Sequence, residues 1–357
     1  MAGFAELGGW PGVLSRLFRR EDLQSDEAAA AFGEILEGRA EPSQIAAFAA
    51  ALRTKGETVA EMTGFVAAMR RSGERVEIAD AVAAVDTCGT GGDRSGTINV
   101  STVASCVVAG AGAPVVKHGN RAASSRSGSA DVLEELGVVV DLGPEGVARC
   151  VAEAGFGFCF APRFYPALRH AAPVRRELGV ATVFNFLGPL ANPAHVGRQV
   201  VGVGDPAMAE TMLGVLEANG VRHAMVLYGH DGLDELTTVA ASTVLESYLD
   251  ADGARVRRVV EVDARSLGLA RASADDLRGG DAAENAARSL AILSGERGPQ
   301  RDLVVLNAAA GLVVAALAPD LEAGLKLAEE TLDSGAARDV LERLVEASRR
   351  AAADGLR

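Results

Sequence analysis

The sequence predicts an α/β protein: a mainly parallel sheet with flanking helices plus a smaller all-helical domain. Three observations carry that reading. Roughly the first seventy residues show helical caps and helical spacing with no strand-like run. From residue 77 onward, short valine-rich runs alternate with helical stretches, the pattern of parallel strands joined by crossover helices. Of the 357 residues, 48% are hydrophobic, enough to bury a large core and to form two domains. Only 4% are aromatic, so Ala, Val and Leu fill that core.

Taken in order, Ser25 with Asp26 and Glu27 marks a helix start, Gly38 a stop, and Pro42 the first turn of the next helix. Thr58 and Glu61 form a capping box. The helix it opens carries Met62, Phe65, Val66 and Met69 at i, i+3, i+4 and i+7, a stripe that is either core or subunit contact. Residues 82–85 read as a strand leading into a glycine turn, and further strands are expected at 115–116, 138–140, 156–160, 200–203 and 223–228. A helix should run from Ser101 to about Ala109, and another from Asp205-Pro206 to Gly220. The segment 163–190 breaks this rhythm with prolines and a cationic, helix-like middle. Residues 303–318 are apolar and alanine-rich, but sixteen residues interrupted by Asn307 are too short for a bilayer, so a buried core helix is expected. Residues 320–349 follow as amphipathic helix.

Charge excludes one class of partner. With 48 acidic against 35 basic residues the net charge is −13, which repels a polyanion, so no nucleic-acid partner is expected. A small phosphorylated substrate needs only local cations. Cys88, Cys106, Cys150 and Cys159 make no C-x-x-C pair and are too sparse to staple the chain, which suits a reducing compartment. The N-terminal residues lack the cationic start and apolar run of a signal peptide. A cytoplasmic protein with no membrane partner is expected.

The richest chemistry lies between residues 86 and 137, in the order D-T-C-G-T-G-G-D, T-I-N-V-S-T, K-H-G-N-R-A-A-S-S and S-G-S-A-D. Gly89, Gly91 and Gly92 let backbone N–H groups crowd round an anion. Asn99, Ser101 and Thr102 add side-chain donors where a helix begins, and Lys117, Arg121 and Arg126 add positive charge. The G-T-G-G segment alone could be a tight turn, and neither G-x-x-x-x-G-K-[ST] nor G-x-G-x-x-G is present. Co-occurrence of the clusters favours a phosphate site.

In these motifs the sequence resembles the anthranilate phosphoribosyltransferases of tryptophan biosynthesis. The resemblance rests on G-T-G-G-D (89–93), N-V-S-T (99–102), K-H-G-N-R (117–121), S-G-S-A-D-V-L-E (127–134), N-F-L-G-P-L-A-N-P (185–193) and L-D-E-L (233–236). It implies transfer of the phosphoribosyl group of phosphoribosyl diphosphate (PRPP) to the amine of anthranilate, releasing pyrophosphate. By resemblance, PRPP would be held by Gly89, Gly92, Asp93, Thr97, Asn99, Val100, Ser101, Thr102, Lys117, His118, Gly119, Asn120, Arg121, Ala122, Ala123, Ser124, Ser125 and Ser129. Anthranilate would meet Gly89, His118, Asn120 and Arg175, whose planar fork suits a carboxylate. Mg2+ would be held by Ser101, Asp234 and Glu235. Without the resemblance the adjacent acids read as solvated surface carboxylates, and His118 as a structural histidine.

The resemblance also implies a helical domain of residues 1–73 and 164–187 that carries a homodimer contact, and an α/β domain of residues 74–163 and 188–357. Departures from the family pattern are Tyr165 where many relatives have His, Leu168 in place of Met, and Ala181 where Arg is common. Two rivals differ in class. A pyrimidine nucleoside phosphorylase is similar in fold, but its lysine-serine-glycine-glycine loop has no counterpart here. A non-catalytic binding relative would lose the acidic pair or gain strong positive charge, and this chain does neither.

Overall fold

The computed structural model describes residues 3–93, 95–122 and 126–357. It opens with four helices, α1 (Gly9–Phe18), α2 (Ser25–Leu36), α3 (Pro42–Lys55) and α4 (Val59–Ser72). Helix α2 is capped one residue before the expected start: Gln24 donates its N–H to Glu27 at 2.8 Å and forms a capping box with it. At α4 the Glu61 N–H donates to Thr58 Oγ1 at 3.2 Å while the Thr58 N–H donates to the Glu61 carboxylate at 2.9 Å. The stripe on α4 is core, since Met62, Phe65, Val66 and Met69 are each 0% exposed. Phe65 packs its ring 5.0 Å from Phe32 and 5.7 Å from Phe48, and Phe32 in turn lies 5.7 Å from Phe184, far along the chain.

The rest of the chain runs β1 (Val85–Gly89), α5 (Val100–Gly110), β2 (Val115–Gly119), α6 (Ser129–Glu135), α7 (Pro144–Ala154), β3 (Phe156–Phe160), α8 (Ala161–Phe164), α9 (Ala172–Leu178) and α10 (Val183–Leu190). It continues with β4 (Arg198–Gly202), α11 (Ala209–Ala218), β5 (His223–Gly229), β6 (Ala241–Leu249), β7 (Arg255–Asp263), α12 (Ala282–Leu293), α13 (Pro299–Val314), α14 (Leu321–Asp333) and α15 (Ala336–Ala353). The strands form one sheet in the order β3-β2-β1-β4-β5-β6-β7. β1 to β5 pair in parallel, and β6 and β7 are antiparallel additions at one edge. Chain order runs outward from β1 through β2 to β3, then returns to β4 on the other side of β1. Such a switch leaves a crevice at the carboxyl ends of β1 and β4, the place where open α/β sheets bind ligands.

Several expectations are corrected here. The first strand begins at Val85; the run before it is a turn in which Asp80 accepts the Ala83 N–H at 2.9 Å, and Val82 is 51% exposed. Residues 138–140 form no strand. The Val138 N–H closes the end of α6 on Leu133 O at 2.9 Å and the Val139 N–H donates to Ser348 Oγ at 3.0 Å, so this valine run packs on α15 instead of joining the sheet. The amphipathic stretch 320–349 is two helices, broken where Gly335 takes φ 82°. The β6–β7 hairpin was missed. Its signal is the D-A-D-G turn, where Asp250 accepts the N–H groups of Asp252 at 3.0 Å and Ala254 at 2.8 Å. Helix α13 is a core helix, and among the described residues no helix is long and apolar enough to cross a membrane.

Candidate active site

The glycine turn after β1 is shaped by what approaches it. The Thr90 N–H donates to Gly202 O at 2.9 Å, the Gly204 N–H to Thr90 Oγ1 at 3.0 Å, and the Gly91 N–H to Asp234 Oδ2 at 2.7 Å. Gly91 and Gly92 take φ 66° and 83°, which favours glycine. Gly89 is required for a different reason, because a Cβ there would stand 2.3 Å from Asp234 Oδ2. At the end of β4, a Cβ on Gly202 would stand 1.6 Å from the Asp234 carbonyl oxygen. Asp234 is thus threaded between the two strand ends at the switch point.

Helix α5 starts beside this turn and presents Val100, Ser101 and Thr102 in its first turn. Lys117, 2% exposed in the middle of β2, donates Nζ to Ser101 Oγ at 3.1 Å and to the Thr87 carbonyl. The backbone of Ser101 faces Glu235 and favours its charged form, which brings serine, lysine and acid together. Asn99 accepts from Asn285 Nδ2 at 2.9 Å and donates to Ser127 O at 3.2 Å. Thr97 is held by a β-bridge to Arg278.

Asp234 and Glu235 are both driven toward protonation. Burial is the main cause for each; Asp93 then raises Asp234 further, and Asp234 raises Glu235, with Lys117 opposing the rise at Glu235. An arrangement that penalises its own negative charge is ready for a counter-ion.

The end of β2 presents His118 and Gly119, and the chain beyond it Asn120, Arg121 and Ala122. His118 Nδ1 lies 2.7 Å from Gly188 O, and a carbonyl only accepts, so Nδ1 carries the proton and Nε2 keeps its lone pair. Burial, reinforced by neighbouring Lys117, pushes this imidazole down to about 4. It is therefore neutral at pH 7, and Nε2 is buried without a hydrogen-bond partner among the described residues. Arg121 is committed elsewhere: it pairs with Asp131 at 3.0 Å and Glu134 at 2.8 Å and lies 5.4 Å from the Phe160 ring centre. Ser129 Oγ donates to Asn120 O at 3.3 Å. Ala123, Ser124 and Ser125 lie outside the described residues. Arg126 is exposed, lies 3.9 Å from Glu284 and is not among the described residues that line the cleft.

The opposite wall comes from the segment 165–189. Arg175, on α9, stands 6.0 Å from the Phe184 ring centre; it is half-buried, and burial lowers its pKa. Arg176 is exposed. Tyr165, the departure from the family histidine, is buried, donates its O–H to Ala191 O at 2.6 Å and sets its ring edge-on to His118 at 5.7 Å. Between the walls is a cleft of about 340 Å³. Gly89, Gly92, Asp93, Thr97, Asn99 to Thr102, Lys117 to Ala122, Ser129, Arg175, Asp234 and Glu235 all line it.

Sequence reasoning missed the residues behind this lining. Asp86 is fully buried, accepts the His118 N–H at 3.2 Å and Asn192 Nδ2 at 2.8 Å, and is raised to about 6 chiefly by burial. Asn192 also donates to Val116 O at 2.8 Å, so these two side chains pin β1, β2 and the segment after α10 behind the imidazole. Asp131 gathers the next loop by accepting the N–H groups of Ala122 at 3.0 Å and Gly128 at 2.9 Å. Both acids lay within the quoted motifs, but nothing local marks their partners. The four cysteines are free and buried, and burial raises the Cys88 thiol well above its ordinary range, which rules it out as a nucleophile.

Comparison with known proteins places this arrangement. Residues 11–73 match the helical bundle domain of the glycosyl transferase family and residues 81–338 its a/b domain. The chain is 54% identical to the anthranilate phosphoribosyltransferase of Thermomicrobium roseum over 332 residues, covering 93% of this chain and 95% of the relative. It superposes on the crystal structure of the enzyme from Thermus thermophilus with a TM-score of 0.87 at 41% identity, covering 94% and 99% of the two chains. The Saccharomyces cerevisiae enzyme in complex with PRPP and Mg gives a TM-score of 0.86 at 25% identity, covering 96% and 98%. Motifs, sheet order, cleft and near-complete coverage agree, and the chain belongs to the anthranilate phosphoribosyltransferase family of glycosyl transferases.

Proposed function

We propose that this protein transfers the phosphoribosyl group of PRPP to the amine of anthranilate, giving N-(5-phosphoribosyl)anthranilate and pyrophosphate, an early step of L-tryptophan biosynthesis. The observation that carries the reading is the cleft at the switch point, where the glycine turn, Lys117 and the Asp234–Glu235 pair face Arg175 across a substrate-sized space. In the reaction the bond from ribose C1 to the diphosphate breaks as the amine nitrogen bonds to C1, so negative charge builds on the leaving group. The turn from Gly89 to Asp93, Thr97, the start of α5 and Lys117 would bind PRPP through backbone amides, hydroxyls and one cation, with Asn120 to Ala122 and Ser129 beyond them.

The donor set formed by Ser101 Oγ, Asp234 and Glu235 is all oxygen, and Lys117 only partly offsets its two carboxylates, which fits Mg2+ shared with substrate phosphates. When bound, the ion supplies charge neutralisation at the diphosphate oxygens. Arg175 would take the anthranilate carboxylate on its guanidinium fork, and the Phe184 ring beneath it limits its freedom. His118 Nε2, neutral and unpaired, would accept a hydrogen of the amine and aim the nitrogen lone pair at C1. Gly89 and Asn120 would complete that pocket.

The domain division we propose is residues 1–73 with 164–187 and 74–163 with 188–357; the stacking of Phe184 on Phe32 supports the first pairing. A homodimer through the helical part is supported by Phe18, 67% exposed at the end of α1, and sedimentation of Phe18→Ser beside the wild type tests it. Four free cysteines support a reducing, cytoplasmic location. The test of function is to mix protein, Mg2+, PRPP and a panel of aromatic amines and to identify the product by mass. Phosphoribosyl transfer to anthranilate alone is expected. Transfer to another amine, or phosphorolysis of a pyrimidine nucleoside, overturns the substrate assignment.

A further inference from the structure

Asn307 interrupts a buried apolar helix and is 3% exposed, among neighbours from Leu303 to Leu312 that are wholly buried. Its side chain is spent mainly on the backbone of one residue. Oδ1 accepts the Leu236 N–H at 2.9 Å, and Nδ2 donates to Leu236 O at 2.8 Å and to Leu303 O in its own helix at 2.9 Å. Leu236 directly follows Asp234 and Glu235, in a stretch between β5 and β6 with no helix or strand of its own. On the other side of the acids the stretch is closed by the Gly229 N–H donating to Leu233 O at 2.8 Å. Asp234 itself is confined by the ends of β1 and β4, where Gly89 and Gly202 leave it room.

We propose that Asn307 is a positioning residue: by bonding both backbone polar groups of Leu236 it fixes the acidic pair at the strand ends in the orientation that receives Mg2+ and diphosphate. This rests on the reading of the cleft given above. Only a carboxamide supplies the matched donor and acceptor. An apolar side chain of similar size would fill the space in α13 but would leave the Leu236 N–H and C=O unpaired in a dry interior, so the loop would shift to satisfy them. Residues one layer behind metal ligands orient those ligands, and their loss commonly weakens metal affinity by about tenfold to a hundredfold.

The test measures PRPP binding by calorimetry at a series of Mg2+ concentrations, with thermal denaturation of the ligand-free protein alongside. The variants are Asn307→Leu and Leu325→Ala, the latter a buried truncation on α14, which packs against α13 at Ala309 and disturbs that packing without removing a bond to Leu236. Asn307→Leu is expected to need at least about tenfold more Mg2+ for half-maximal binding. Leu325→Ala should lose thermal stability yet keep the wild-type Mg2+ requirement. If Asn307→Leu does not fold, Asn307→Ser, too short to reach Leu236, takes its place with the same expectation. An unchanged Mg2+ requirement in a folded Asn307 variant, or an equal shift in Leu325→Ala, overturns the proposal and leaves Asn307 a stability residue. Wild-type binding of PRPP that ignores Mg2+ overturns the metal assignment itself.

Discussion

The placement of Asp234 between strand ends makes Gly202→Ala an incisive perturbation. The new Cβ would lie 1.6 Å from the Asp234 carbonyl oxygen and 2.5 Å from its carbonyl carbon, whereas ordinary contact begins at 3.4 Å. Both obstacles are backbone, so no side-chain rotation relieves them, and the Asp234 peptide has to retreat by nearly 2 Å. Gly202 sits at the end of β4 without a positive φ, so alanine suits its own backbone and the whole effect comes from the displaced neighbour. A misplacement of about 1 Å at catalytic groups costs on the order of a hundredfold in rate. We therefore expect kcat/KM to fall at least about a hundredfold, near 2.7 kcal/mol, with a sheet that still folds. Gly253→Ala, in the β6–β7 turn away from the cleft, is the control, because nothing lies within 4 Å of its Cβ and its φ of 80° adds only backbone strain, on the order of 1 kcal/mol. Pyrophosphate release and thermal denaturation measure both variants. Near-normal turnover in Gly202→Ala would show that the acidic loop is not held by the strand ends, and the account of the switch point would fall with it.

Other outcomes follow from the same geometry. Arg175→Ala should lower kcat/KM for anthranilate by about tenfold to a hundredfold, the worth of charge-assisted hydrogen bonds in a half-buried site, and leave PRPP binding unchanged; Arg175→Lys should recover little, and weakened PRPP binding instead would reverse the substrate orientation. Asp234→Asn with Glu235→Gln should abolish turnover, removing carboxylates worth several kcal/mol of transition-state stabilisation, and near-normal activity at low Mg2+ counts against the metal assignment. His118 is held neutral down to about 4 in the fold. Below its ordinary value of about 6.5 the unfolded chain takes up a proton that the folded chain refuses, so its contribution is present above that pH and is lost as pH falls toward 4. The stability of wild type minus His118→Gln should thus drop by roughly 3 kcal/mol between pH 6.5 and 4 in denaturant titrations, and a flat difference refutes the buried neutral imidazole.

Which features could be read in advance depended on how far apart their causes lie in the chain. The Thr58–Glu61 box and the strand Phe156–Phe160 are local, set by a cap three residues long and by an unbroken apolar run. The valines at 138–140 carry the same local signal as a strand, but the decision belongs to Ser348, 209 residues away, which takes the Val139 N–H. The β6–β7 hairpin was hidden because its outer strand is an edge with Arg255, Arg257 and Arg258 on it, and charges that keep an edge from pairing also erase its apolar pattern.

The cleft follows the same logic. Motifs after β1 and β2 converge because parallel neighbours end at the same edge of a sheet, so residues far apart in sequence could be placed together once the strands were placed. What lies behind them could not. Asp86 and Asn192 meet across 106 residues and hold β1, β2 and the segment after α10 together behind His118. Arg121, read as a cation for substrate, is taken by Asp131 and Glu134, acids that sit inside the same motif and look like the helix start they also form. Among the described residues, the lining cations without a salt-bridge partner are Lys117 beside the glycine turn and Arg175 on the far wall. On the proposed reading that division separates a phosphate end from a carboxylate end, which would let two anionic substrates share one cleft without exchanging places.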